Sequence, residues 1–340
     1  MPGTDRTSEL PDFDNRDIVE LRPQLSRPSP QLRPLGVELE AEPIDKFGET
    51  CLAGTIFLVG SECRFRCTMC DLWQYTHPGP TPPGALAQQI THGLKQLDES
   101  LGTKSLATSA AQPSIPLRCI KLYNASNFFA TTNVPASDLP NIADRVAHFD
   151  RVVVENHPTI LLPAITDFKE RLNGRLEVAL GLETAHPKLL EKLNKAMSLN
   201  DFRIACDWLL ARDIDVRVFV LLQPPGLDGN SAIDWCLESI RVAEKSGARQ
   251  VSVIPVRRGN GAIDKLQQNG LFKQPTARSL EVVMQNVDAF RCIVTADLWD
   301  WQHIRGTCDA CSQARKHLLE KTNLTQSPPQ LKDCLQCNDQ

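Results

Sequence analysis

The hydrophobic pattern of the chain alternates between short apolar runs and longer amphipathic stretches. The apolar runs, several rich in β-branched residues, predict strands at Thr55–Gly60, Arg118–Tyr123, Arg151–Glu155, Leu176–Leu180, Asp215–Leu222 and Gln250–Pro255, with a further one at Cys292–Thr295. Apolar residues spaced three or four apart predict helices near Gly84–Leu101, Asp138–Phe149, Leu161–Leu172, Pro187–Lys195, Asn200–Arg212, Ala232–Ser246 and Thr276–Phe290. Strands that alternate with helices in this way indicate parallel βαβ units.

The α/β alternation extends over residues 51–296 and predicts an open or closed βα barrel. Most of its strands are nearly continuous apolar runs, which is typical of a sheet covered on both faces. In barrels of this kind the active site lies at the carboxyl ends of the strands. Most of the polar motifs of the chain fall at such ends, so the sequence predicts one shared site there.

Two flanking segments differ from the barrel in composition. Residues 1–50 contain seven prolines, 11 Asp or Glu and six Lys or Arg, which predicts a largely disordered acidic leader. Within it, Leu35–Glu40 has the pattern of a short outer strand. Residues 297–340 are rich in cysteine and predict a small metal-binding extension.

Composition narrows the class of protein. The chain has 340 residues, of which 41% are hydrophobic and 23% charged, as in an ordinary globular protein. It has no apolar run of about 18 residues and no apolar segment near the N-terminus, so we expect neither a membrane span nor secretion. Twelve cysteines in such a chain favour metal or cluster ligands over disulfides and indicate a cytoplasmic protein. The net charge of −4 does not indicate non-specific nucleic-acid binding, although it leaves an RNA substrate open.

The strongest chemical motif follows the first predicted strand and has the spacing CxxxCxxC. Its residues are Cys63, Cys67 and Cys70. Three thiolates on one loop can bind three irons of a [4Fe–4S] cluster and leave the fourth iron without a protein ligand. The alternative is a zinc knuckle with His77 as fourth ligand, although the spacing from Cys70 to His77 is not usual for zinc.

This motif, placed after an apolar strand, resembles that of the radical S-adenosylmethionine (SAM) enzymes. The resemblance implies a partial (β/α)6-type TIM barrel in which SAM chelates the fourth iron. It also implies that one electron from the cluster cleaves SAM to a 5′-deoxyadenosyl radical. A reductase, flavodoxin or ferredoxin would then be the electron donor.

Polar residues at the predicted strand ends are the candidate SAM contacts. Asn124 and Ser126 follow the second strand, where radical SAM proteins bind the amino group of SAM; an ordinary turn has the same composition. Glu155 and Glu183 end the third and fourth strands and are candidates for the ribose or the ammonium group, or for solvated strand ends. Arg217, inside the fifth strand, requires a carboxylate partner in the barrel or on SAM, unless it faces solvent.

Two further motifs are less specific. His157 precedes a proline, and the start of a helix explains it as well as a ligand or acid–base role does. The turn Gly259–Gly261 allows close approach of a ligand, but an ordinary surface turn accounts for it.

A narrower resemblance covers residues 50–290. The stretches IKLYNASNFF, VVVENHP, LEVALGLETAHPKLLEKLNK and VRVFVLLQPPG are similar to the archaeosine-forming branch of the radical SAM enzymes, which is related to the elongator catalytic-subunit type of core. This resemblance implies a modified nucleobase in RNA as the substrate, with a small metabolite as the alternative. A hypothesis from another class is a non-catalytic zinc protein that uses both cysteine sets for folding.

The second cysteine set lies in the C-terminal extension. Two CxxC pairs, Cys308 with Cys311 and Cys334 with Cys337, are separated by 22 residues. This spacing is compatible with a four-cysteine zinc site or with an auxiliary [4Fe–4S] cluster.

Overall fold

A computed structural model of the chain describes residues 3–29, 32–107, 117–331, 333, 334 and 336. The strands are β1 (Thr4–Asp5), β2 (Gly36–Pro43), β3 (Thr50–Phe57), β4 (Leu117–Tyr123), β5 (Arg151–Asn156), β6 (Arg175–Glu183), β7 (Asp215–Leu222), β8 (Leu227–Asp228), β9 (Gln250–Pro255) and β10 (Ile293–Ala296).

The helices alternate with these strands through most of the chain. They are α1 (Asn15–Leu21), α2 (Ala85–Ala107), α3 (Leu139–Val146), α4 (Pro163–Glu170), α5 (Pro187–Lys192), α6 (Leu199–Leu210), α7 (Gly229–Lys245), α8 (Ala262–Gln268), α9 (Ala277–Met284) and α10 (Ser312–Thr325). Short 3-10 helices occupy Thr7–Glu9, Leu72–Tyr75, Val287–Ala289 and Trp301–His303. Capping boxes at Ser198 and Thr276 define where α6 and α9 begin.

One eight-stranded sheet organises the fold, in the order β10-β9-β7-β6-β5-β4-β3-β2. Strands β3 to β10 of this sheet pair in parallel, and β2 adds an antiparallel edge to β3. Helix α10 packs against both β2 and β10, the two edges of the sheet, so the sheet curves into a partial barrel that α10 bridges. The predicted α/β class and partial barrel are therefore confirmed.

Most predicted elements correspond to observed ones, with two informative shifts. The helix predicted at Pro187–Lys195 ends as α5 at Lys192, because Asn194 and Ala196 adopt left-handed backbone angles. Helix α2 continues to Ala107, beyond the predicted end at Leu101, and residues 108–116 lie outside the described residues.

The expectation of a disordered leader is corrected by the structure. Strand β1 pairs with β8, and α1 carries a capping box at Asp14. Leu10 is buried and joins an apolar cluster of the barrel, and Ile18 is also buried. The many prolines and charged residues of the leader give no sign of these contacts, because the contacts are made with residues far away in the sequence. The predicted outer strand is present as β2.

Arg217 also differs from the expectation that it contacts SAM. It is the third residue of β7, and it lies at the amino-terminal end of the barrel interior, away from the carboxyl ends of the strands. There its guanidinium binds Glu177 of β6 and Glu42 of β2, each at 2.6 Å. Arg151 and Arg249 also contact Glu177, at 2.9 and 3.0 Å. The buried Arg217 thus has its carboxylate partners inside the barrel.

Candidate active site at the carboxyl ends of the strands

The CxxxCxxC loop follows β3 at the carboxyl end of the sheet. Cys67 is 9% exposed, and burial raises the pKa of its thiol to about 12. Burial also raises the pKa of Cys70. Buried thiols with raised pKa values become stable thiolates when a metal provides positive charge, which is the chemistry that iron ligation requires.

The segment after α5 supports this loop from one side. The Thr68 amide donates to the carbonyl of Leu193 at 2.9 Å, and the Asn194 side chain donates to the carbonyl of Arg66 at 2.8 Å. Asn194 has φ 49°, a conformation that asparagine tolerates better than most residues. The left-handed turn that ends α5 therefore also positions the cysteine loop.

Asn260 supports the loop from the opposite side and was missed by the sequence reasoning. Its side chain, 3% exposed, donates to the carbonyls of Thr68 at 2.8 Å and Cys70 at 3.3 Å. Its side-chain oxygen accepts from the amide of Ile263 at 2.8 Å and so caps α8. The turn at Gly259–Gly261 therefore holds the cysteine loop in place. In the sequence, the polar residue between the two glycines was the available sign of this role.

Replacing Asn260 with alanine leaves the buried carbonyls of Thr68 and Cys70 without this donor. We expect the free energy of unfolding to fall by about 1–3 kcal/mol, the usual cost of an unsatisfied buried group. Chemical denaturation measures this change. Asn269→Ala, at an exposed position at the end of α8, is the matched control and should change little. Equal effects of the two substitutions would contradict the role of Asn260 in holding the cysteine loop.

The leader holds the start of the cysteine loop through Glu62. Arg22 and Arg27 of the leader each reach the Glu62 carboxylate at 2.8 Å, and Arg66 reaches it at 3.0 Å. Arg22 also lies over the ring of Trp73, 4.6 Å from its centroid. Residues 3–29 are thus part of the structure around the site.

A buried ion pair lies beside the cysteines. Lys195 contacts Glu183 at 2.6 Å, and both side chains are buried. Burial opposes the charge on Lys195, but Glu183, Cys67 and Cys63 outweigh it and raise the lysine pKa. A Cβ at position 181 would lie 2.1 Å from the Glu183 carboxylate, so Gly181 makes room for the pair. Glu183, with φ 67°, lies where the pairing of β6 with β7 shifts register.

His157 has a structural role. Its two ring nitrogens contact the carbonyl of Lys195 at 2.9 Å and the hydroxyl of Thr159 at 2.8 Å. The ring of Phe65, from the cysteine loop, stacks on it at 3.7 Å. Burial lowers the pKa of His157 to about 3, so the imidazole is neutral. With both nitrogens engaged, it orients the cysteine loop.

The ends of β4 and β5 form a buried polar site. In the described part of the chain, the amide oxygen and nitrogen of Asn124, the hydroxyl of Ser126 and one carboxylate oxygen of Glu155 are buried without a hydrogen-bond partner. The Glu155 carboxylate accepts hydrogen bonds from the backbone amides of Ala125 and Asn124, but burial dominates and raises its pKa to about 7. Unsatisfied buried groups are costly, so this set fits a polar ligand that carries both donors and acceptors.

Asn127, four residues after the end of β4, connects this polar site to the cysteine loop. Its side-chain nitrogen donates to the sulfur of Cys63 at 3.0 Å. Sequence reasoning did not single out Asn127 by itself, although it lies in the Asn124–Asn127 motif. Of the predicted SAM contacts, Asn124, Ser126 and Glu155 lie in this polar site and Glu183 lies in the ion pair beside the cysteines, whereas Arg217 pairs with Glu177 and Glu42.

The tail cysteines form a second site. The sulfur of Cys308 lies 3.8 Å from that of Cys311 and 3.8 Å from that of Cys334. Among the described residues, these three are the one set of metal-ligating side chains whose ligand atoms all lie within 4.8 Å of one another. Cys337, the predicted fourth ligand, lies outside the described residues.

The sheet and its cysteine loop form a fold that is similar to solved structures. The archaeal Elp3 from Methanocaldococcus infernus, solved with an N-terminal deletion, matches with a TM-score of 0.50 and 14% identity over 70% of this chain and 59% of that chain. The radical SAM methyltransferase TsrM from Kitasatospora setae matches with a TM-score of 0.42 and 16% identity over 66% of this chain and 40% of that chain. The chain thus spans less than two thirds of the length of either structure.

A curated relative matches this chain over nearly the full length of both sequences. Archaeosine synthase subunit beta from Methanosarcina acetivorans is 22% identical over 342 residues, which cover 94% of this chain and 92% of the relative. No protein-family model matches the chain. The predicted resemblance to the radical SAM superfamily agrees with these comparisons. No helix in the described residues has the length and apolar character needed to cross a membrane.

Proposed function

We propose that Cys63, Cys67 and Cys70 bind a [4Fe–4S] cluster and that Asn124, Ser126 and Glu155 bind SAM beside it. The observation that carries this proposal is the set of unpartnered buried polar atoms next to the cysteine loop. When bound, the cluster supplies the electron that cleaves SAM to a 5′-deoxyadenosyl radical, which abstracts hydrogen from a substrate.

The residues of this chain bind and orient the reactants. The carboxylate of Glu155, held by two backbone amides, accepts from the ammonium group of SAM. Asn124 offers an acceptor and two donors to the polar atoms of SAM, and Ser126 offers a hydroxyl. Lys195 places a positive charge beside the cysteine thiolates, and Glu183 holds that charge in place.

Anaerobic purification and reconstitution with iron and sulfide test the proposal. We expect a brown protein that absorbs near 400 nm and forms 5′-deoxyadenosine from SAM when it is reduced by dithionite, flavodoxin or ferredoxin. A colourless protein with stoichiometric zinc and no SAM cleavage would support the alternative, a non-catalytic zinc protein.

We propose a modified nucleobase in RNA as the substrate. The support is the relative named archaeosine synthase subunit beta, which matches nearly the whole chain. Comparison of modified nucleosides in RNA from cells with and without the gene tests this proposal. An unchanged nucleoside profile with an altered pool of a small metabolite would favour the alternative substrate class.

We propose that the tail cysteines bind zinc, with Cys337 as the fourth ligand. A tetrahedral zinc ion with Zn–S bonds of about 2.3 Å places its sulfur ligands about 3.8 Å apart. The sulfur of Cys308 lies at that distance from the sulfurs of Cys311 and Cys334. An auxiliary cluster would place its cysteines on separate irons.

Replacing both Cys308 and Cys311 with alanine should remove about one zinc per chain and leave the iron content unchanged. The reason is that two of the four ligands are lost while the CxxxCxxC loop is intact. Elemental analysis of the purified variant and of the unaltered chain measures both metals. Loss of about four irons with unchanged zinc would identify an auxiliary cluster instead.

A further inference from the structure

The ion pair of Lys195 with Glu183 is buried beside the sulfurs of the cysteine loop. Lys195 is 6% exposed and Glu183 is 7% exposed, and among the described residues Glu183 is the one carboxylate that Lys195 contacts. Burial raises the pKa of the Cys67 thiol, whereas Lys195 lowers this pKa by more than Glu183 raises it. The positive end of the pair therefore acts on the sulfur more strongly than the negative end.

Backbone contacts fix the position of Lys195. It lies between Asn194 and Ala196, whose left-handed φ angles of 49° and 55° turn the chain after α5. The carbonyl of Lys195 accepts a hydrogen bond from Nε2 of His157 at 2.9 Å. The ring of Phe65, in the cysteine loop, stacks on that imidazole. Lys195 and the cysteine loop are therefore held together by the same histidine.

Two N–H groups donate to the sulfur of Cys63. The side-chain nitrogen of Asn127 lies 3.0 Å from this sulfur, and the backbone amide of Phe65 lies 3.4 Å from it. Asn127 is 4% exposed, so little water competes for the sulfur at this position. Asn127 and Lys195 thus stabilise negative charge on two different cysteines of the loop.

This arrangement bears on the reduction of the proposed cluster. A cluster that accepts one electron from flavodoxin, ferredoxin or dithionite becomes more negative by one charge, and no bond forms or breaks in that step. The potential of a [4Fe–4S] cluster depends on the net charge around it, on hydrogen bonds to its sulfurs and on its exposure to solvent. A cation or an N–H donor beside the sulfurs stabilises the more negative form, and a buried charge acts more strongly than one in water.

We propose that Lys195 and Asn127 raise the reduction potential of the cluster in the CxxxCxxC loop and that Glu183 lowers it. All three are positioning residues, because they act on the cluster through its cysteine ligands. The inference rests on the proposed function, since it concerns the cluster proposed there. It adds that the balance of one buried ion pair sets how readily that cluster accepts its electron.

Potentiometric titration of the reconstituted full chain in the absence of SAM tests the proposal. The reduced cluster is paramagnetic and is counted by electron paramagnetic resonance at each potential. We expect Lys195→Met to lower the ratio of reduced to oxidised cluster at a fixed potential at least tenfold, which for one electron is a shift of about 59 mV. Lys195→Arg keeps the charge and should restore most of the ratio. Asn127→Leu should lower the potential by a smaller amount.

Glu183→Gln gives the most discriminating result. This variant leaves the charge of Lys195 uncompensated, so its potential should rise, opposite to that of Lys195→Met. Disruption of the fold around the cluster would not produce two shifts of opposite sign. Lys195→Met leaves a buried carboxylate without its partner, and the double variant Lys195→Met/Glu183→Gln removes that difficulty. Its potential should still lie below that of the unaltered chain, because the positive end of the pair is the stronger one.

Lys188→Met is the matched control. Lys188 lies on α5 at an exposed position, so the loss of its charge should leave the potential unchanged. Iron content and thermal unfolding establish that each variant is folded and carries its cluster before potentials are compared.

Two results overturn the proposal. One is a potential that is the same in the unaltered chain, in Lys195→Met and in the double variant. The other is a shift of the same sign in Lys195→Met and Glu183→Gln. Neither result affects 5′-deoxyadenosine formation by the unaltered chain. An unaltered chain that binds no cluster would instead refute the proposed function itself.

Discussion

Replacing Cys67 with alanine should abolish the absorbance near 400 nm and the formation of 5′-deoxyadenosine from SAM. The loss is complete because a cubane cluster held by two protein cysteines lacks one of its three anchors. Cys67 belongs to none of the packed apolar clusters of the described residues, so the barrel should remain folded. Iron content, the visible spectrum and chromatographic assay of 5′-deoxyadenosine measure the three consequences.

Cys236→Ala is the matched control for this experiment. Cys236 is also a buried cysteine, but it packs in the apolar core on α7. This variant should keep the cluster and SAM cleavage and lose only some stability. SAM cleavage that persists in Cys67→Ala would refute the ligand assignment.

The barrel could be predicted from the sequence because its strands are buried on both faces. The interior strands contain buried apolar runs such as Val152–Val154 of β5, and this pattern, alternating with amphipathic helices, leaves few other folds. The cysteine loop was predictable for a similar reason, since its three ligands are close in the chain. The positions of Glu155 and Glu183 followed from the ends of their strands.

What could not be predicted depends on contacts between distant segments. Asn260 supports a loop that lies 190 residues earlier in the chain, and nothing in its neighbourhood indicates that partner. The leader is held by pairs such as Arg22 with Glu62, which composition cannot reveal. The case of Arg217 differs, because its position near the start of β7 already placed it away from the carboxyl ends. For predicting a site residue, the end of the strand that the residue lies nearest is therefore as informative as the strand to which it belongs.

Glu155 lowers the stability of the folded chain at the site where we propose that it binds SAM. Its carboxyl has a pKa of about 7 in the folded chain, raised by burial, against a usual value of 4.5. Between those two values the folded state binds more protons than the unfolded state, so its stability falls as the pH rises. At one pKa unit per 1.36 kcal/mol, the ionised carboxylate costs about 3 kcal/mol above pH 7.

Replacing Glu155 with glutamine removes that ionisation and retains most of the shape. We expect the SAM-free chain to become more stable at pH 8 by up to about 3 kcal/mol, and little changed at pH 4.5, where the carboxyl is protonated. The same variant should bind SAM more weakly, because it lacks the charge that accepts from the ammonium group. Chemical denaturation at the two pH values and calorimetry with SAM measure both effects. Two results would show that Glu155 is not the buried acceptor proposed here. One is a difference in free energy of unfolding between the variant and the unaltered chain that is the same at both pH values. The other is SAM binding by the variant that is as tight as that of the unaltered chain.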